Sequence, residues 1–226
     1  MSADKNFRLS EFKTFFKNPE YWHDDLIAIG GDFDSERLLY AYKNGIFPWS
    51  ENPIRWYSLD PRAVFDLDGL HISRTVRKKI KQGIYKVTFN RAFLEVMKGC
   101  SFRIHESTWI TEGFLKGYLD FHNYGYAHSA EAWDKDNNLV GGVYGIAIGK
   151  LFAGESMFAR SSDAGKVALV RLFEELKKDG FSLFDTQQLN ETTWSLGAYE
   201  IPKLEYLRRL KEAVRIPYKW QPPILD

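Results

Sequence analysis

Two acidic residues lie at or near the ends of apolar segments, where a carboxylate is well placed for catalysis. Glu155 falls within Leu151–Phe158, and Asp185 directly follows Phe181–Phe184. A carboxylate that is fixed on a strand and partly removed from water is suited to move a proton. Each residue also has a structural explanation, since Glu155 could bind backbone amides and Asp185 could cap the turn that follows. The residues alone leave both explanations open.

A cluster of cations lies within a short segment that is predicted to be helical. Its members are Arg74, Arg77, Lys78, Lys79 and Lys81. Spacings of three and four residues place most of them along one helical face. A solvated helix face is the ordinary explanation for such a run. Because the whole chain carries a net charge of only +1, we favour a local site for nucleic-acid phosphates.

Length and composition predict an ordinary globular protein. The chain has 226 residues, of which 44% are hydrophobic and 27% charged, so it can bury a sizeable core. Cys100 is the only cysteine, which excludes an internal disulfide and argues against a thiolate metal site. The N-terminus lacks the apolar core of a signal peptide, and no apolar run approaches the length of a membrane span. We therefore expect a cytoplasmic protein without membrane contact.

The elements that must position these residues follow an α+β order. A capped helix is predicted for 34–45, where Asp34 or Ser35 begins it and Gly45 follows its end. Pro48 prevents the helix from continuing and predicts a loop around Trp49.

From about residue 63 onward, helices alternate with strands. Asn90 is predicted to cap a helix over 91–98 that Gly99 closes, and an amphipathic helix is predicted for 165–178. Gly149-Lys150 joins two strands in a tight hairpin. We predict a small N-terminal domain over residues 1–62 and a larger domain over residues 63–226. The larger one has the element order of an acyl-transfer domain, which is an analogy of fold.

Several stretches, in order along most of the chain, resemble the bacterial leucyl/phenylalanyl-tRNA–protein transferases. They include Gly45-Ile46-Phe47-Pro48-Trp49, Trp56-Tyr57-Ser58-Leu59-Asp60-Pro61-Arg62, Leu139-Val140-Gly141-Gly142-Val143-Tyr144-Gly145, Leu151-Phe152-Ala153-Gly154-Glu155-Ser156-Met157-Phe158 and Ser195-Leu196-Gly197-Ala198. The resemblance implies an acetyltransferase-like (GNAT) C-terminal domain with a mixed, largely antiparallel sheet flanked by helices. It also implies that no metal or nucleotide cofactor is needed.

The resemblance further implies the substrates. The donors are leucyl-tRNA and phenylalanyl-tRNA, with methionine as a further transferred residue. The acceptors are proteins with N-terminal arginine or lysine, which the added residue marks for degradation as N-degron substrates. We expect a monomer.

Site residues follow from the same resemblance. The pocket for the donor side chain is expected to be lined by Trp49, Trp109, Tyr118, Val143, Met157 and Leu172. Val143 and Leu172 depart from the methionine and phenylalanine that we associate with the family. Asp185 is expected to accept the proton of the attacking amine or to orient that amine. Gln187 is expected to hold or polarise the reacting groups, and Glu155 to place the terminal adenosine or the acceptor.

Two other functions are open at this stage. An acyl-coenzyme A-dependent N-acyltransferase of the same fold would cradle pyrophosphate in a glycine-bearing loop at a helix N-terminus. The corresponding loop carries Asp163 and a single late glycine, Gly165, which argues against an anion there. A non-catalytic tRNA-binding module would explain the basic cluster, but it has no need of Asp185 or Glu155.

Overall fold

The computed structural model describes residues 10–101 and 111–224. The N-terminal part forms a small three-stranded antiparallel sheet with helices beside it. Its elements are α1 (residues 10–15), β1 (Leu26–Ile29), α2 (Ser35–Lys43), β2 (Phe47–Glu51) and β3 (Ile54–Tyr57). The strand order is β1-β3-β2.

The rest of the chain builds a seven-stranded sheet with helices on both faces. Its elements are β4 (Arg62–Phe65), α3 (Arg74–Lys81), β5 (Lys86–Phe89), α4 (Phe93–Ser101), α5 (Glu112–Asn123), β6 (Ala127–Trp133), β7 (Leu139–Ile148), β8 (Leu151–Ala159), α6 (Ala164–Lys178), β9 (Leu183–Gln187), α7 (Glu191–Ser195), β10 (Tyr199–Ile201) and α8 (Lys203–Ala213). The strand order is β10-β4-β9-β8-β7-β6-β5.

One parallel pair interrupts the antiparallel order of the larger sheet. Helix α6 crosses over between β8 and β9, which pair in parallel, whereas the other neighbouring strands pair antiparallel. A parallel pair needs such a crossover, because a tight turn can join only antiparallel strands. The predicted α+β class, with a mixed and largely antiparallel sheet flanked by helices behind a small N-terminal unit, is confirmed.

Local sequence signals predicted several elements correctly. Asp34 caps α2 by accepting a hydrogen bond from the Glu36 amide, and Gly45 has the left-handed φ of 74° that was expected after the helix. The hairpin between β7 and β8 turns at Gly149-Lys150, as predicted. These signals succeed because a cap or a turn depends on a few neighbouring residues.

Two signals near α4 were misleading. Asn90 was expected to cap the helix, but it has a left-handed φ of 57°, and its side chain instead contacts His128 and the amide of Ser129. Gly99 was expected to end the helix, but it lies inside it. A Cβ at Gly99 would stand 2.7 Å from the Phe158 ring, so glycine here permits close helix–sheet packing.

A shared core joins the N-terminal unit to the larger sheet. Residues of α2 and β3, such as Tyr42 and Trp56, belong to the same buried cluster as Tyr118 of α5 and Tyr144 of β7. A continuous apolar core holds its elements in fixed relative positions. Side chains of the N-terminal unit are thereby fixed against the face of the larger sheet. The division after residue 62 stays a prediction.

Candidate active site

A cavity of about 610 Å³ opens where β8 and β9 stop pairing. The parallel register between the two strands ends at Ala153 and Asp185. Beyond that point the side chain of Gln187 bridges to Glu155, with its Nε2 donating to Oε1 at 3.0 Å. The cavity is lined by Phe65, Val143, Gly154, Glu155, Ser156, Met157, Leu169, Phe184, Thr186, Gln187, Asn190, Glu191, Thr192, Thr193 and Leu196.

Glu155 lies at a β-bulge, which directs its side chain out of the regular alternation of β8. The register with β7 shifts between Tyr144 and Gly145, opposite Ser156 and Gly154. A bulge leaves one residue unpaired and turns its side chain to a new direction. The Glu155 carboxylate accepts from the Tyr42 hydroxyl at 2.8 Å as well as from Gln187. It thus faces the cavity while two donors hold it in place.

The pKa of Glu155 is raised to about 8. Burial is the largest cause, because it disfavours the charged form. The Tyr42 hydrogen bond lowers the pKa, the negative charge of Asp185 raises it, and Arg62 and Gln187 lower it. Near neutral pH this carboxyl can therefore both hold and release a proton, as a general acid or base requires.

Two tyrosines connect Glu155 to the shared core. The hydroxyls of Tyr42 and Tyr118 are 2.5 Å apart, and both side chains are buried. The pKa of each is raised well above its usual value, first by burial and next by the charge of Glu155. Both hydroxyls therefore stay protonated and can donate, so that Tyr118 supports Tyr42 and Tyr42 supports Glu155.

Asp185 is buried and fully bonded. Arg62 donates to it through Nε at 2.9 Å and Nη2 at 2.7 Å, in a bidentate pair. The Tyr206 hydroxyl donates to the Asp185 carboxylate at 2.8 Å, and the backbone N–H of Gln187 donates to it at 2.9 Å. Both members of the Arg62–Asp185 pair are 1% exposed. Asp185 is therefore held away from the cavity, and its oxygens already accept four hydrogen bonds.

The three predicted catalytic residues are thus close together but differ in access to the cavity. Glu155 and Gln187 line the cavity. Asp185 does not line it, but its carboxylate accepts a hydrogen bond from the backbone N–H of Gln187. The expected role of Asp185 towards the attacking amine stays a prediction, and in this geometry the amine would have to displace Arg62 or Tyr206 to reach the carboxylate. Asp185 instead has the contacts of a residue that positions Gln187.

The residues predicted to line the donor pocket fall into two groups. Val143 and Met157 line the cavity. Leu172 lies within the core beneath α6 and is 1% exposed, while Leu169, one turn earlier, lines the cavity in its place. The sequence did not distinguish these two leucines, since both lie on the apolar face of α6.

The remaining predicted pocket residues lie outside the cavity lining. Trp49 is half-buried on β2, where it packs edge-on against Tyr57 at a ring distance of 5.6 Å, although its proline neighbour had predicted a loop. Tyr118 is fully buried in the shared core. Trp109 lies outside the described residues. The role of all three in the donor pocket stays a prediction.

The predicted basic face is present on α3. Arg74, Arg77, Lys78 and Lys81 are exposed, whereas Val76 is buried. Lys79 is an exception within the cluster, because its Nζ is 2.8 Å from Asp163 and 2.7 Å from the Ser162 carbonyl. Lys79 therefore joins α3 to the start of α6. The other four cations point into solvent, as phosphate contact requires.

Three supporting residues were not identified from the sequence. Arg62, Tyr42 and Tyr206 contact the predicted catalytic residues directly. An aspartate within an apolar strand does signal that a buried cation should be near, because an unpaired buried carboxylate is costly. That signal does not say which arginine provides the charge, and Arg62 is far away in sequence.

The structure also bears on metals and membranes. Within residues 10–101 and 111–224, no group of three or more histidines, cysteines, aspartates or glutamates is arranged to hold a metal ion. None of the helices in these ranges combines the length and the apolar character that crossing a bilayer requires.

Known proteins resemble this chain over most of its length. Residues 64–211 match the family described as leucyl/phenylalanyl-tRNA protein transferase, and residues 31–60 match the N-terminal domain of that family. Relatives named leucyl/phenylalanyl-tRNA–protein transferase from Escherichia fergusonii and Shigella dysenteriae serotype 1 are each 47% identical over 210 residues, covering 91% of this chain and 89% of the relative. The solved structure of L-PGS from Bacillus licheniformis has 17% identity and a TM-score of 0.42, covering 73% of this chain and 54% of that one.

Proposed function

Because the chain belongs to the leucyl/phenylalanyl-tRNA–protein transferase family, we propose that it adds leucine or phenylalanine to the N-terminal arginine or lysine of acceptor proteins. It is an aminoacyltransferase, which takes its donor from aminoacyl-tRNA and forms a peptide bond on a protein acceptor. The two alternative functions, coenzyme A-dependent acyl transfer and tRNA binding without catalysis, do not agree with membership of this transferase family. We further propose that the enzyme acts as a monomer in the cytoplasm, and that the added residue marks the acceptor for degradation.

The observation that carries the assignment of roles is the bridge between Glu155 and Gln187 at the cavity. The acceptor amine must attack the ester carbon as a neutral nucleophile and lose a proton while the new C–N bond forms. We assign this proton to the Glu155 carboxylate, which lines the cavity and has a pKa raised to about 8. The bond from the ester carbon to the ribose oxygen then breaks, and the ribose oxygen leaves with the proton that Glu155 took from the amine. Gln187 orients Glu155, and Asp185 orients Gln187.

The donor side chain fits the apolar wall of the cavity. Val143, Met157 and Leu169 line the same cavity as the Glu155 carboxylate. A leucine or phenylalanine side chain buried there gains about 0.8 kcal/mol for each methylene removed from water. An acidic donor residue would be disfavoured, because no cation lines the cavity among the described residues.

The acceptor preference is the first test. We expect transfer from radiolabelled leucyl-tRNA to peptides that begin with arginine or lysine, and little transfer to otherwise identical peptides that begin with alanine or glutamate. The reason is the carboxylates Glu155 and Glu191, which line the cavity and favour a cationic acceptor. Equal initial rates on all four peptides would contradict the assignment of the acceptor.

The basic face of α3 is the second test. Changing Arg77, Lys78 and Lys81 together to alanine should weaken tRNA binding and lower the slope of log K against log salt by roughly 0.7–0.9 for each phosphate that the variant no longer binds. Transfer from a minimal aminoacyl-adenosine donor should remain nearly unchanged. A matched variant replaces exposed cations elsewhere, at Lys178, Lys211 and Arg215, and should leave the salt slope intact. If the triple variant transfers from the minimal donor as slowly, relative to wild type, as it does from the tRNA, the basic face contributes to folding and not to tRNA binding.

A further inference from the structure

An exposed tryptophan lies beside the cavity. Trp194 is on α7 and is 68% exposed, and its ring stacks on no other aromatic ring of the described chain. Single exposed apolar residues are common on protein surfaces. The position of Trp194 is informative because the residues just before it, Asn190 to Thr193, all line the cavity.

The wall that carries Trp194 is held in place. The Asn190 side chain accepts from the Thr193 amide at 2.9 Å, and the Thr193 hydroxyl accepts from the Asn190 amide at 2.9 Å, in a reciprocal capping box. Leu196 and Ala198, which follow the helix, are buried. Because the backbone of this wall is already fixed, little backbone freedom is lost when a ligand contacts the exposed indole.

A carboxylate is the neighbour of this indole. Glu191 precedes Trp194 by three residues in α7, so the two side chains project from neighbouring positions of the helix. Glu191 is exposed, lines the cavity and forms no ion pair within residues 10–101 and 111–224. Together the two residues present a negative charge and an aromatic face at the edge of the site.

We propose that Glu191 and Trp194 form the subsite for the cationic side chain of the first acceptor residue. This inference rests on the proposed function and names the residues that read the acceptor. A carboxylate attracts the cation, and an indole face attracts it further through its negative π-surface. A guanidinium also stacks on the ring and bonds a carboxylate through two N–H groups, so this subsite favours arginine over lysine.

The alternative occupant is the 3′ end of the tRNA, whose bases could stack on the indole. The charges disfavour it. Glu191 is an exposed carboxylate in the cavity lining and would repel phosphates, and Glu155 adds to that repulsion when it is ionised. The cations suited to phosphates lie instead on α3.

The experiment measures steady-state transfer with arginine-leading and lysine-leading peptides for Trp194→Ala and Glu191→Gln. Trp194→Ala should raise KM for the arginine peptide by roughly 5- to 30-fold and for the lysine peptide by less. Glu191→Gln should raise KM for both peptides, more strongly at low salt. The KM for leucyl-tRNA and kcat should stay within about twofold of wild type. Leu204→Ala and Glu200→Gln, which change exposed side chains away from the cavity, serve as matched controls.

Two outcomes would overturn the subsite. One is an acceptor KM that neither substitution changes, and the other is a rise in the KM for leucyl-tRNA in place of the acceptor KM, which would assign the indole to the tRNA. Calorimetric binding of the arginine peptide without any donor separates this inference from the proposed function. Wild-type protein that binds this peptide more tightly than Trp194→Ala, yet transfers nothing, would support the subsite while contradicting the proposed reaction.

Discussion

Asp185→Asn is expected to lower the free energy of unfolding by about 3–5 kcal/mol, because it leaves Arg62 as a buried charge without a counter-ion. Both side chains are 1% exposed, and the pair is bidentate. Arg62 bonds to no other carboxylate within the described residues, since its remaining bonds are to the Gly45 carbonyl and the Tyr206 hydroxyl. A change of this size should lower Tm by roughly 6–20 °C in a protein of this length.

Thermal melts of four variants measure this effect: Asp185→Asn, Arg62→Met, the double variant and one control. Arg62→Met with Asp185→Asn should cost less than the sum of the two single changes, because the double variant leaves no unpaired charge. Asp68→Asn is the matched control. Its carboxylate is 76% exposed and pairs with Lys177 at the surface, so its loss should cost less than about 1 kcal/mol. Additive costs in the double variant would show that Arg62 and Asp185 do not support each other.

The same variant separates positioning from proton transfer. If Asp185 acts by orienting Gln187 through its amide, transfer by fully folded Asp185→Asn should fall only about tenfold, as expected when one hydrogen bond is weakened. A base that touches the amine contributes 10²–10⁴-fold. If the single-turnover rate falls by that larger factor, measured well below the Tm of the variant, Asp185 and not Glu155 is the general base.

Local patterns in the sequence were sufficient for much of the fold. The caps of α2, the turn at Gly149-Lys150 and the apolar face of α6 each depend on residues that are close together in the chain. They therefore predicted the β-hairpin and the crossover helix that define the larger sheet. The helix boundaries predicted from Asn90 and Gly99 were wrong, because these two residues contact residues that are distant in sequence. Asn90 contacts His128, and Gly99 packs against Phe158.

The site was harder to predict because its chemistry depends on long-range contacts. An acidic residue after an apolar strand identified Asp185, but its partner Arg62 is 123 positions away in sequence. The bulge at Glu155 depends on the register between β7 and β8, which alternation of residue types does not reveal. The sequence thus pointed to both carboxylates, whereas the different roles that we propose for them rest on the three-dimensional arrangement.

Electrostatics distinguishes the two carboxylates further. Asp185 has a bidentate guanidinium partner, which stabilises its charge. Glu155 accepts from the neutral donors Tyr42 and Gln187, and it also lies near the charge of Asp185, which raises its pKa. Because the two neighbouring acids have such different surroundings, we assign the proton transfer to Glu155 and a positioning role to Asp185.

Glu155→Gln is therefore expected to lower the single-turnover rate of transfer by about 10²–10⁴-fold, since glutamine keeps the shape but cannot accept the proton. The pH profile should change as well. In wild type, both the Glu155 carboxyl, with its pKa of about 8, and the acceptor amine must lose a proton. Below about pH 7, log kcat/KM for the acceptor should rise with a slope approaching two in wild type and one in Glu155→Gln. Equal slopes would remove Glu155 from the proton transfer.

The pH dependence of stability tests the raised pKa of Glu155 without any measurement of turnover. The pKa of Glu155 rises from 4.5 to about 8 on folding, so between these values the folded state holds a proton that the unfolded state has lost. Its contribution to stability is complete below about pH 4.5 and is lost as the pH rises through about 8. The free energy of unfolding of wild type should therefore fall relative to that of Glu155→Gln across this window, by at most about 1.4 kcal/mol per pH unit. If the free energies of unfolding of wild type and Glu155→Gln run parallel from pH 5 to 8.5, Glu155 is ionised throughout this range. It then does not exchange a proton near neutral pH, as the proposed role requires.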